Sequence, residues 1–411
     1  MLWAGIDWSD EALDYELLAE DGSVLLQGKV KPDVNGVADL FSRFDQQAAA
    51  DQIHIAIETV HGPWVQALLD HGYCVYPINP KSADHFRKAM SAAGDKSDSI
   101  DRHVLALHLK SCHSKLRRLK PDDPALVALR IGCQDRIRLV EEKTAKLNEL
   151  IAGLKTYYPA ILGLFGDVDS QISLQFILAF PTQKQFRSLS AARLRNWLKQ
   201  HKYPRRERIE GMTEQLSSPV LGVADHLQTA KVPRLTYLAS SLMKLNDEIG
   251  QLDDTIGGQF AALPESDWIS SLPGAGPTLG PSLLACIGRD ATRFAHSGEA
   301  QALMGTAPVT RASGKSRVVH MRRACWKFAR RTLLWFAYHS RRKCQWAANL
   351  YQRQKDRGAG QYAALRAVAN KWLKIILAMQ RTGQRYDESI YVHSRTRYLA
   401  NGQTRTKTKM A

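Results

Sequence analysis

Two long segments of this chain carry apolar residues at heptad spacing, and they constrain its fold more than any other feature. Apolar side chains repeated in this way form a stripe along a helix, and that stripe must be covered by a second helix. We therefore predict two long partner helices that form a coiled-coil hairpin with a structural or oligomerisation role. The stripes consist of Cys133, Ile137, Val140, Leu147, Ile151 and Leu154, and of Leu235, Leu238, Leu242, Leu245, Ile249, Leu252 and Ile256.

The sequence between the two stripes predicts a helical insertion at the far end of this hairpin. Residues 156–232 contain four prolines and a short helical pattern at 191–201, which together indicate several short helices. No motif in this insertion points to chemistry. We assign the whole long helical region to residues 121–265.

Residues 1–120 alternate between strand and helix patterns. Residues 2–7 have the pattern of a buried strand, and Glu20-Asp21-Gly22 is a strong hairpin signal between the next two strand-like runs. A helix, a strand at 53–58, a second helix, another strand and a further helix follow. Three antiparallel strands followed by these elements give the order of the ribonuclease H fold. We therefore predict an α/β domain of this ribonuclease H-like (RuvC-like) type, followed by helical domains.

The composition is that of a soluble globular protein with several domains. The chain has 411 residues, of which 44% are hydrophobic and 24% charged, and no apolar run approaches the ~18 residues of a membrane span. Its six cysteines include no CxxC pair, so neither a disulfide framework nor a zinc site is indicated. The first residues lack the basic and apolar regions of a signal peptide. A reducing cytoplasm fits these features best, and no membrane partner is expected.

The positive charge of the chain is concentrated in its last quarter. Residues 311–411 contain 24 Lys and Arg against three Asp and Glu, whereas residues 1–310 contain 33 basic and 37 acidic residues. A dense basic region is typical of a polyanion-binding surface, because each cation placed near a phosphate releases condensed counterions. A solvated surface or an anionic membrane could also accommodate this charge. We interpret the region as nucleic-acid-binding.

A Pro-Gly-x-Gly turn marks the start of the C-terminal domain. Gly274 and Gly276 lie between two helical patterns, as in the hairpin of a helix-hairpin-helix motif. The backbone N–H groups of such a turn, together with the next helix N-terminus, can hold a DNA phosphate. An ordinary turn between helices explains the two glycines equally well. The aromatic residues that follow among the arginines should mostly be core residues, and some could stack on bases.

Four carboxylates stand near the predicted ends of elements in the first domain. Asp7 ends the first strand, and Glu58 ends a later one. Asp98 and Asp101 lie three residues apart on one face of a predicted helix. Converging carboxylates repel one another unless cations lie among them. A site for two Mg²⁺ ions roughly 3.5–4 Å apart has this arrangement of acids around cations. Taken singly, each acid could be a surface group or a cap, but the set of four favours a metal site.

The same residues carry a resemblance to a known family. The motifs are GIDWSD, AIETVHGPW, INP and DKSDSIDRHVLA, followed later by SLPGAGPTLGPSLLACIG, the run from ATRFAHSGE to TRASGKS, and NKWLKIILAMQRTGQRYDES. In their order and spacing, the chain resembles the DEDD-type transposases of bacterial insertion sequences (the IS one-ten group), which are bridge-RNA-guided DNA recombinases. The resemblance assigns the acidic tetrad, defined as Asp7, Glu58, Asp98 and Asp101, to metal binding and catalysis. It also implies donor and target DNA, a non-coding guide RNA and a nucleoid-associated cytoplasmic location as expectations.

The resemblance further assigns a nucleophilic role to Ser313, which precedes Gly314 in TRASGKS. By itself, a Ser-Gly pair in a basic loop indicates only a turn. A serine that attacks a phosphodiester conserves the bond energy in a phosphoserine link, so strands can be resealed without ATP. Because the tetrad ends at residue 101 and Ser313 follows in a separate domain, we expect a composite site in a homo-oligomer (dimer or tetramer).

Cations surround this serine in the sequence, and their charge could neutralise the charge that develops on a reacting phosphate. Two further arginines occupy positions where relatives usually have a Lys-x-Gly stretch. The candidate nucleic-acid-binding residues are Arg311, Lys315, Arg317, Arg322, Arg323, Gly274 and Gly276.

Three other functions compete with a recombinase. A metal-dependent nuclease of the Holliday-junction resolvase type would need the four acids but not the serine. A nucleic-acid-binding scaffold would need neither, and an intact tetrad argues against it. An actin-like ATPase or sugar kinase also opens with such a strand and hairpin, but the chain has no second glycine-rich phosphate loop. The predicted domains are 1–120 (catalytic), 121–265 (helical), 266–400 (C-terminal transposase domain) and 401–411 (basic tail).

Overall fold

The structure is a computed structural model, and the chain in it forms two compact units. These units are Met1–Asp122 and Asp123–Ala411. The structure describes residues 1–59, 62–90, 98–121, 123–218, 223–314 and 316–390. Lys315 and the predicted basic tail 401–411 lie outside these residues, and the side chain of Asp98 is not described.

The described residues of the first unit form a five-stranded mixed sheet and four α-helices in the predicted order. Its elements are β1 (Leu2–Trp8), β2 (Leu13–Leu18), β3 (Val24–Val30), α1 (Val34–Asp45), β4 (Ile53–Ile57), α2 (Pro63–Asp70), β5 (Cys74–Pro77), α3 (Pro80–Met90) and α4 (Asp98–Cys112). The strand order is β3-β2-β1-β4-β5. β1, β2 and β3 pair antiparallel, while β4 runs parallel to β1 and β5 parallel to β4. The predicted meander followed by alternating helices and strands is therefore confirmed.

The two faces of this sheet carry separate hydrophobic cores. On one face, residues of β1 and β4 such as Ile6 and Ile55 pack with α1 and α2. On the other face, Trp3 and Ala56 pack with α3 and α4. Helix α4 crosses β1 at Gly5, where an added Cβ would lie 2.0 Å from the carbonyl oxygen of Arg102. Only glycine allows this close approach, so the position of α4 over β1 depends on Gly5.

The second unit begins with the two long helices that the heptad stripes predict. α5 (Pro124–Tyr157) and α10 (Asp225–Ala261) pack against each other in antiparallel directions. Arg136 near the start of α5 pairs with Asp253 near the end of α10. Arg234 near the start of α10 pairs with Glu149 near the end of α5, with Nε and Oε1 2.7 Å apart. The two predicted partner helices are therefore present and antiparallel, while their coiled-coil geometry stays a prediction.

The insertion between these helices has a hydrophobic core of its own. It contains α6 (Gln171–Ala179), α7 (Gln183–Arg187), α8 (Ala191–Gln200) and α9 (Ile209–Ser217). Tyr158, Phe176 and Phe186 are fully buried there, against Leu154 and Leu242 of the long helices. The insertion is thus a small helical subdomain built on the far ends of α5 and α10.

The remaining helices pack on the near ends of α5 and α10. They are α11 (Ser266–Ser270), α12 (Gly276–Ile287), α13 (Ser297–Leu303), α14 (Lys327–Ser340), α15 (Gln345–Asp356) and α16 (Gln361–Thr382). Trp372 lies at 0% exposure in this core and donates a hydrogen bond from Nε1 to Ser340 Oγ at 2.8 Å. Leu129 and Ile256 of the long helices belong to the same core. A boundary at residue 265 therefore does not separate two hydrophobic cores.

A two-stranded hairpin interrupts these helices, which sequence analysis described as mainly helical. β6 (Val309–Ser313) and β7 (Ser316–His320) pair antiparallel. Within the part of the chain that the structure describes, no helix combines the length and the apolar character that a membrane span requires.

Candidate active site

Asp7 and Glu58 lie at the carboxyl ends of neighbouring parallel strands. Ile6 of β1 pairs with Ile57 of β4, so the next residue of each strand stands at the same edge of the sheet. Ile6 packs in the core on the α1 and α2 side, and successive strand residues alternate between faces. Asp7 is therefore on the opposite face, which α4 covers. Its side chain is half-buried, and that of Glu58 is exposed.

Helix α4 brings its N-terminus to this same edge. Its residue Arg102 lies against Gly5, while the ring of His113, just after the helix, is 5.0 Å from the ring of Trp3 at the start of β1. α4 therefore runs opposite to β1, with its first residue, Asp98, toward the end where β1 and β4 finish. This placement brings the backbone positions of the predicted acidic tetrad to one edge of the sheet.

Asp101 is held by a cation in this structure. Its Oδ1 accepts a hydrogen bond from Arg87 Nη1 at 2.7 Å, and the second nitrogen of the same guanidinium donates to Asp84 Oδ1 at 2.6 Å. Hydrogen bonds from Lys88 and Arg87 lower the pKa of Asp84, so this acid stays ionised. Among the described side chains, no group of three or more His, Cys, Asp or Glu residues is arranged to hold a metal ion. The structure thus brings the tetrad positions together without forming a metal cluster among the described groups.

Two buried carboxylates beside the tetrad were missed by sequence analysis. Asp14, which pairs with Asp7 in the sheet register, accepts hydrogen bonds from Arg102 Nη1 at 2.8 Å and contacts Lys29 Nζ at 2.8 Å. Glu16 contacts His103 Nδ1 at 2.9 Å. Buried carboxylates require such partners, because an unpaired buried charge is costly. These pairs tie α4 to β2 and so fix the helix that carries Asp101.

Ser313 ends β6 at the tip of an exposed hairpin. It pairs with Ser316, and the turn between them contains Gly314 with φ +53°, a left-handed conformation that glycine adopts without strain. The side chains of Ser313 and its neighbours in both strands are exposed. Alternation along β6 places Arg311 on the same face as Ser313. The register puts Arg317 opposite Ala312, on the other face.

The two arginines after the hairpin differ in their surroundings. Arg322 is half-buried, and its Nε lies 3.4 Å from the carbonyl oxygen of Ala307. Its own carbonyl accepts a hydrogen bond from Arg330 Nη1 at 3.1 Å. Arg323 is exposed. Arg322 therefore also supports the base of the hairpin, which sequence analysis did not predict.

The two glycines of the Pro-Gly-x-Gly turn have different structural surroundings. Gly274 has φ +92°, and an added Cβ there would lie 3.1 Å from the backbone nitrogen of Ser340 at the end of α14. Close packing against α14 explains this glycine. Gly276 has φ +50° and begins α12, and an added Cβ would meet no described atom within 4 Å. Only Gly276 thus borders open space that a ligand could enter.

Two family models match the chain in the order expected from its motifs. A DEDD transposase model of the IS110 group matches residues 4–159, and the model described as "Transposase IS116/IS110/IS902 family" matches residues 266–352. Together they cover more than half of the chain. This chain belongs to the IS110 family of transposases. Membership implies that this transposase acts on DNA, and the prediction of a DEDD-type insertion-sequence transposase is confirmed.

Curated relatives of this IS110-family transposase match it along nearly its whole length. The "Mini-circle putative transposase for IS117" of Streptomyces coelicolor is 28% identical over 94% of this chain and 95% of its own. The insertion element IS900 uncharacterized 42 kDa protein of Mycobacterium paratuberculosis is 25% identical over 95% of this chain and 97% of its own. The range matched by the first family model includes the four acids of the tetrad, and the range matched by the second includes Ser313.

Proposed function

We propose that this IS110-family transposase cuts and joins DNA strands with its acidic tetrad and Ser313, under the guidance of a structured RNA. The observation that supports this most directly is the convergence of Asp7, Glu58 and the N-terminus of α4 at one sheet edge. A strand-exchanging enzyme needs acids gathered at one point and an accessible nucleophile. The first unit supplies the acids, and the exposed hairpin of the second supplies the serine.

The first unit supports a ribonuclease H-like, RuvC-like fold. Its sheet order β3-β2-β1-β4-β5, with three antiparallel strands followed by two parallel ones, is the arrangement that this fold uses. In open mixed sheets, sites form outside the carboxyl ends of neighbouring parallel strands, and the tetrad positions stand at such an edge. We infer that the fold exists here to position these carboxylates.

The tetrad fits a hard divalent cation, and we propose Mg²⁺, with two ions. The donor set is entirely carboxylate oxygen, which Mg²⁺ prefers, and it comes from two strand ends and one helix. When bound, the ions would polarise the phosphodiester and stabilise the leaving oxygen. Asp7 and Glu58 would hold these ions from the strands, and Asp98 and Asp101 from α4. Arg87 supplies the positive charge beside Asp101 in this structure.

In this proposal, Ser313 keeps the broken strand attached to the protein. Its hydroxyl oxygen would attack phosphorus and lose its proton to solvent, while the bond from phosphorus to the departing sugar oxygen breaks and that oxygen takes up a proton to become a free hydroxyl. The resulting phosphoserine ester can be attacked by another strand's hydroxyl, which reseals the DNA and restores the serine. Arg311 on the same hairpin face would neutralise charge on the phosphate oxygens. Arg317, Arg323 and the rest of the basic region 311–411 would bind the DNA and RNA backbones.

A resolvase-type nuclease is the second candidate, because the geometry of the first unit serves metal-dependent hydrolysis equally well. The two functions differ in their need for Ser313. We would incubate the full-length protein with Mg²⁺, plasmid DNA carrying the element ends and the transcript of the flanking DNA. Covalent protein–DNA adducts would be measured on denaturing gels and joined products by amplification.

Ser313→Ala should abolish both adducts and joined products, whereas Ser316→Ala is the matched control. Ser316 stands directly opposite Ser313 and is equally exposed, so its loss should leave both products. Asp7→Ala should abolish cleavage but leave DNA binding. If Ser313→Ala still cuts DNA at the parent rate, the serine mechanism is wrong, and cutting without adducts or joined products would favour the nuclease function.

A further inference from the structure

One face of α14 carries an exposed aromatic ring between an arginine and a histidine. Arg331, Trp335 and His339 are four residues apart and therefore share a face of the helix. Trp335 is 50% exposed, and its ring stacks on that of His339 with centroids 5.7 Å apart and planes 22° from parallel. By contrast, Trp346 and Trp372 are buried in the core, as sequence analysis expected for most aromatics. Core packing does not account for the exposure of Trp335.

A cavity of about 440 Å³ opens beside this face. It lies between α5, α14 and the Pro-Gly-x-Gly turn, and its volume is within the range of small-molecule sites, about 300–1,000 Å³. Arg136, Arg331 and His339 contribute to its lining, and no carboxylate does among the residues that the structure describes. The carboxylates paired with the two arginines, Asp253 and Glu141, lie outside the lining. The cavity wall is therefore apolar and cationic.

The Pro-Gly-x-Gly turn also faces this cavity. Gly276 opens α12 without a side chain above it, and no side chain caps the first turn of that helix among the described residues. Thr332 also contributes to the lining, but its hydroxyl contacts the Cys286 thiol in the core and is closed to a ligand in the cavity. The hydrogen-bonding capacity left for a ligand is therefore that of the open turn at Gly276.

We propose that this cavity binds an unpaired nucleotide of a single-stranded nucleic acid. The base stacks on the free face of Trp335, and its phosphate lies between Arg331 and the Gly276 turn. An exposed π-face beside two guanidinium groups is the chemistry that recognises such a nucleotide, whose phosphate would compete with Glu141 for Arg331. Duplex DNA keeps its bases stacked inside, so it does not offer one to the cavity. This inference rests on one part of the proposed function, namely that the chain binds nucleic acid.

The test measures binding of oligonucleotides to the full-length protein. Single-stranded DNA and RNA of one sequence, each with a single 2-aminopurine, would be titrated beside the corresponding DNA duplex at several salt concentrations. Stacking on Trp335 quenches the probe. Trp335→Ala should weaken single-strand binding roughly tenfold to a hundredfold, with an unchanged salt slope because stacking releases no counterions. Trp335→Phe should restore most of the affinity, and Tyr362→Ala, which removes another exposed ring of the same unit, should have no effect.

The two single-stranded arms identify the source of the nucleotide, since the tighter one shows whether DNA or RNA occupies the cavity. An equal loss of duplex binding in Trp335→Ala, or no loss on either single strand, would overturn the proposal. The cleavage-deficient Ser313→Ala protein should keep the Trp335-dependent quenching. If the recombinase mechanism is wrong, the Trp335-dependent quenching should still be observed. If the cavity does not bind a nucleotide, the strand-joining assay still tests the recombinase mechanism.

Discussion

Gly5→Ala should separate α4 from β1 and thereby destroy the candidate active site. The added Cβ would lie 2.0 Å from the carbonyl oxygen of Arg102 and 2.7 Å from the backbone nitrogen of Ala106. Both atoms belong to the backbone of α4 and cannot rotate away as a side chain could. The helix itself must therefore move by about an ångström to reach ordinary contact distances.

The expected cost follows from this clash. Overpacking a filled core costs about 1–3 kcal/mol, and a clash with backbone belongs at the upper end of that range or above it. For a unit of this size, about 3 kcal/mol corresponds to a fall in melting temperature of roughly 10–15 °C. A metal site tolerates displacements of only about 0.5 Å. Strand cleavage should therefore be lost even at temperatures where Gly5→Ala remains folded.

Circular dichroism during heating measures the fall in melting temperature, and the cleavage assay measures the loss of strand cleavage. Gly250→Ala is the control, because an added Cβ in α10 meets no described atom within 4 Å and helix propensity favours alanine. It should be neutral or stabilising by up to about 1 kcal/mol. If Gly5→Ala melts within about 2 °C of the parent or cleaves at the parent rate, α4 is not held against β1 as described.

Three further predictions concern pH, salt and metal. Burial lowers the pKa of His54 from 6.5 to about 4, so between these pH values the unfolded chain binds a proton that the folded protein does not bind. The melting temperature should therefore fall as the pH falls from 6.5 to about 4, and it should fall less in His54→Gln. Deleting residues 395–411, which carry five Lys or Arg, should shallow the log-affinity versus log-salt slope on duplex DNA by about 0.9 per lost phosphate contact; an unchanged slope would mean that they make none. Arg87→Gln removes the cation paired with Asp101, so a lower Mn²⁺ concentration should suffice to raise the melting temperature of this variant than of the parent. Lys88→Gln should need the same Mn²⁺ concentration as the parent, and equal Mn²⁺ requirements of the two variants would exclude competition between Arg87 and the metal.

The element order of the first unit could be predicted because its signals are local. Each buried strand is a short apolar run, and hairpin residues such as Gly22 mark the turns. The tetrad positions followed from this order, since strand ends and a helix start are local features too. The pairs that anchor α4 could not be predicted in the same way. Asp14 and Arg102 are 88 residues apart, and only the folded sheet shows that they meet.

The hairpin that carries Ser313 escaped prediction for a different physical reason. A strand is recognised by alternation between buried and exposed residues, but the side chains of β7 are exposed on both faces. Val318 and Val319 are adjacent apolar residues that stay 47% and 57% exposed. A two-stranded hairpin of this kind is only marginally stable alone in water, so it gains stability when a partner covers it. The exposure of both hairpin faces therefore explains why the pattern did not predict a strand. We infer that the same exposure allows nucleic acid to cover the hairpin and contact Ser313.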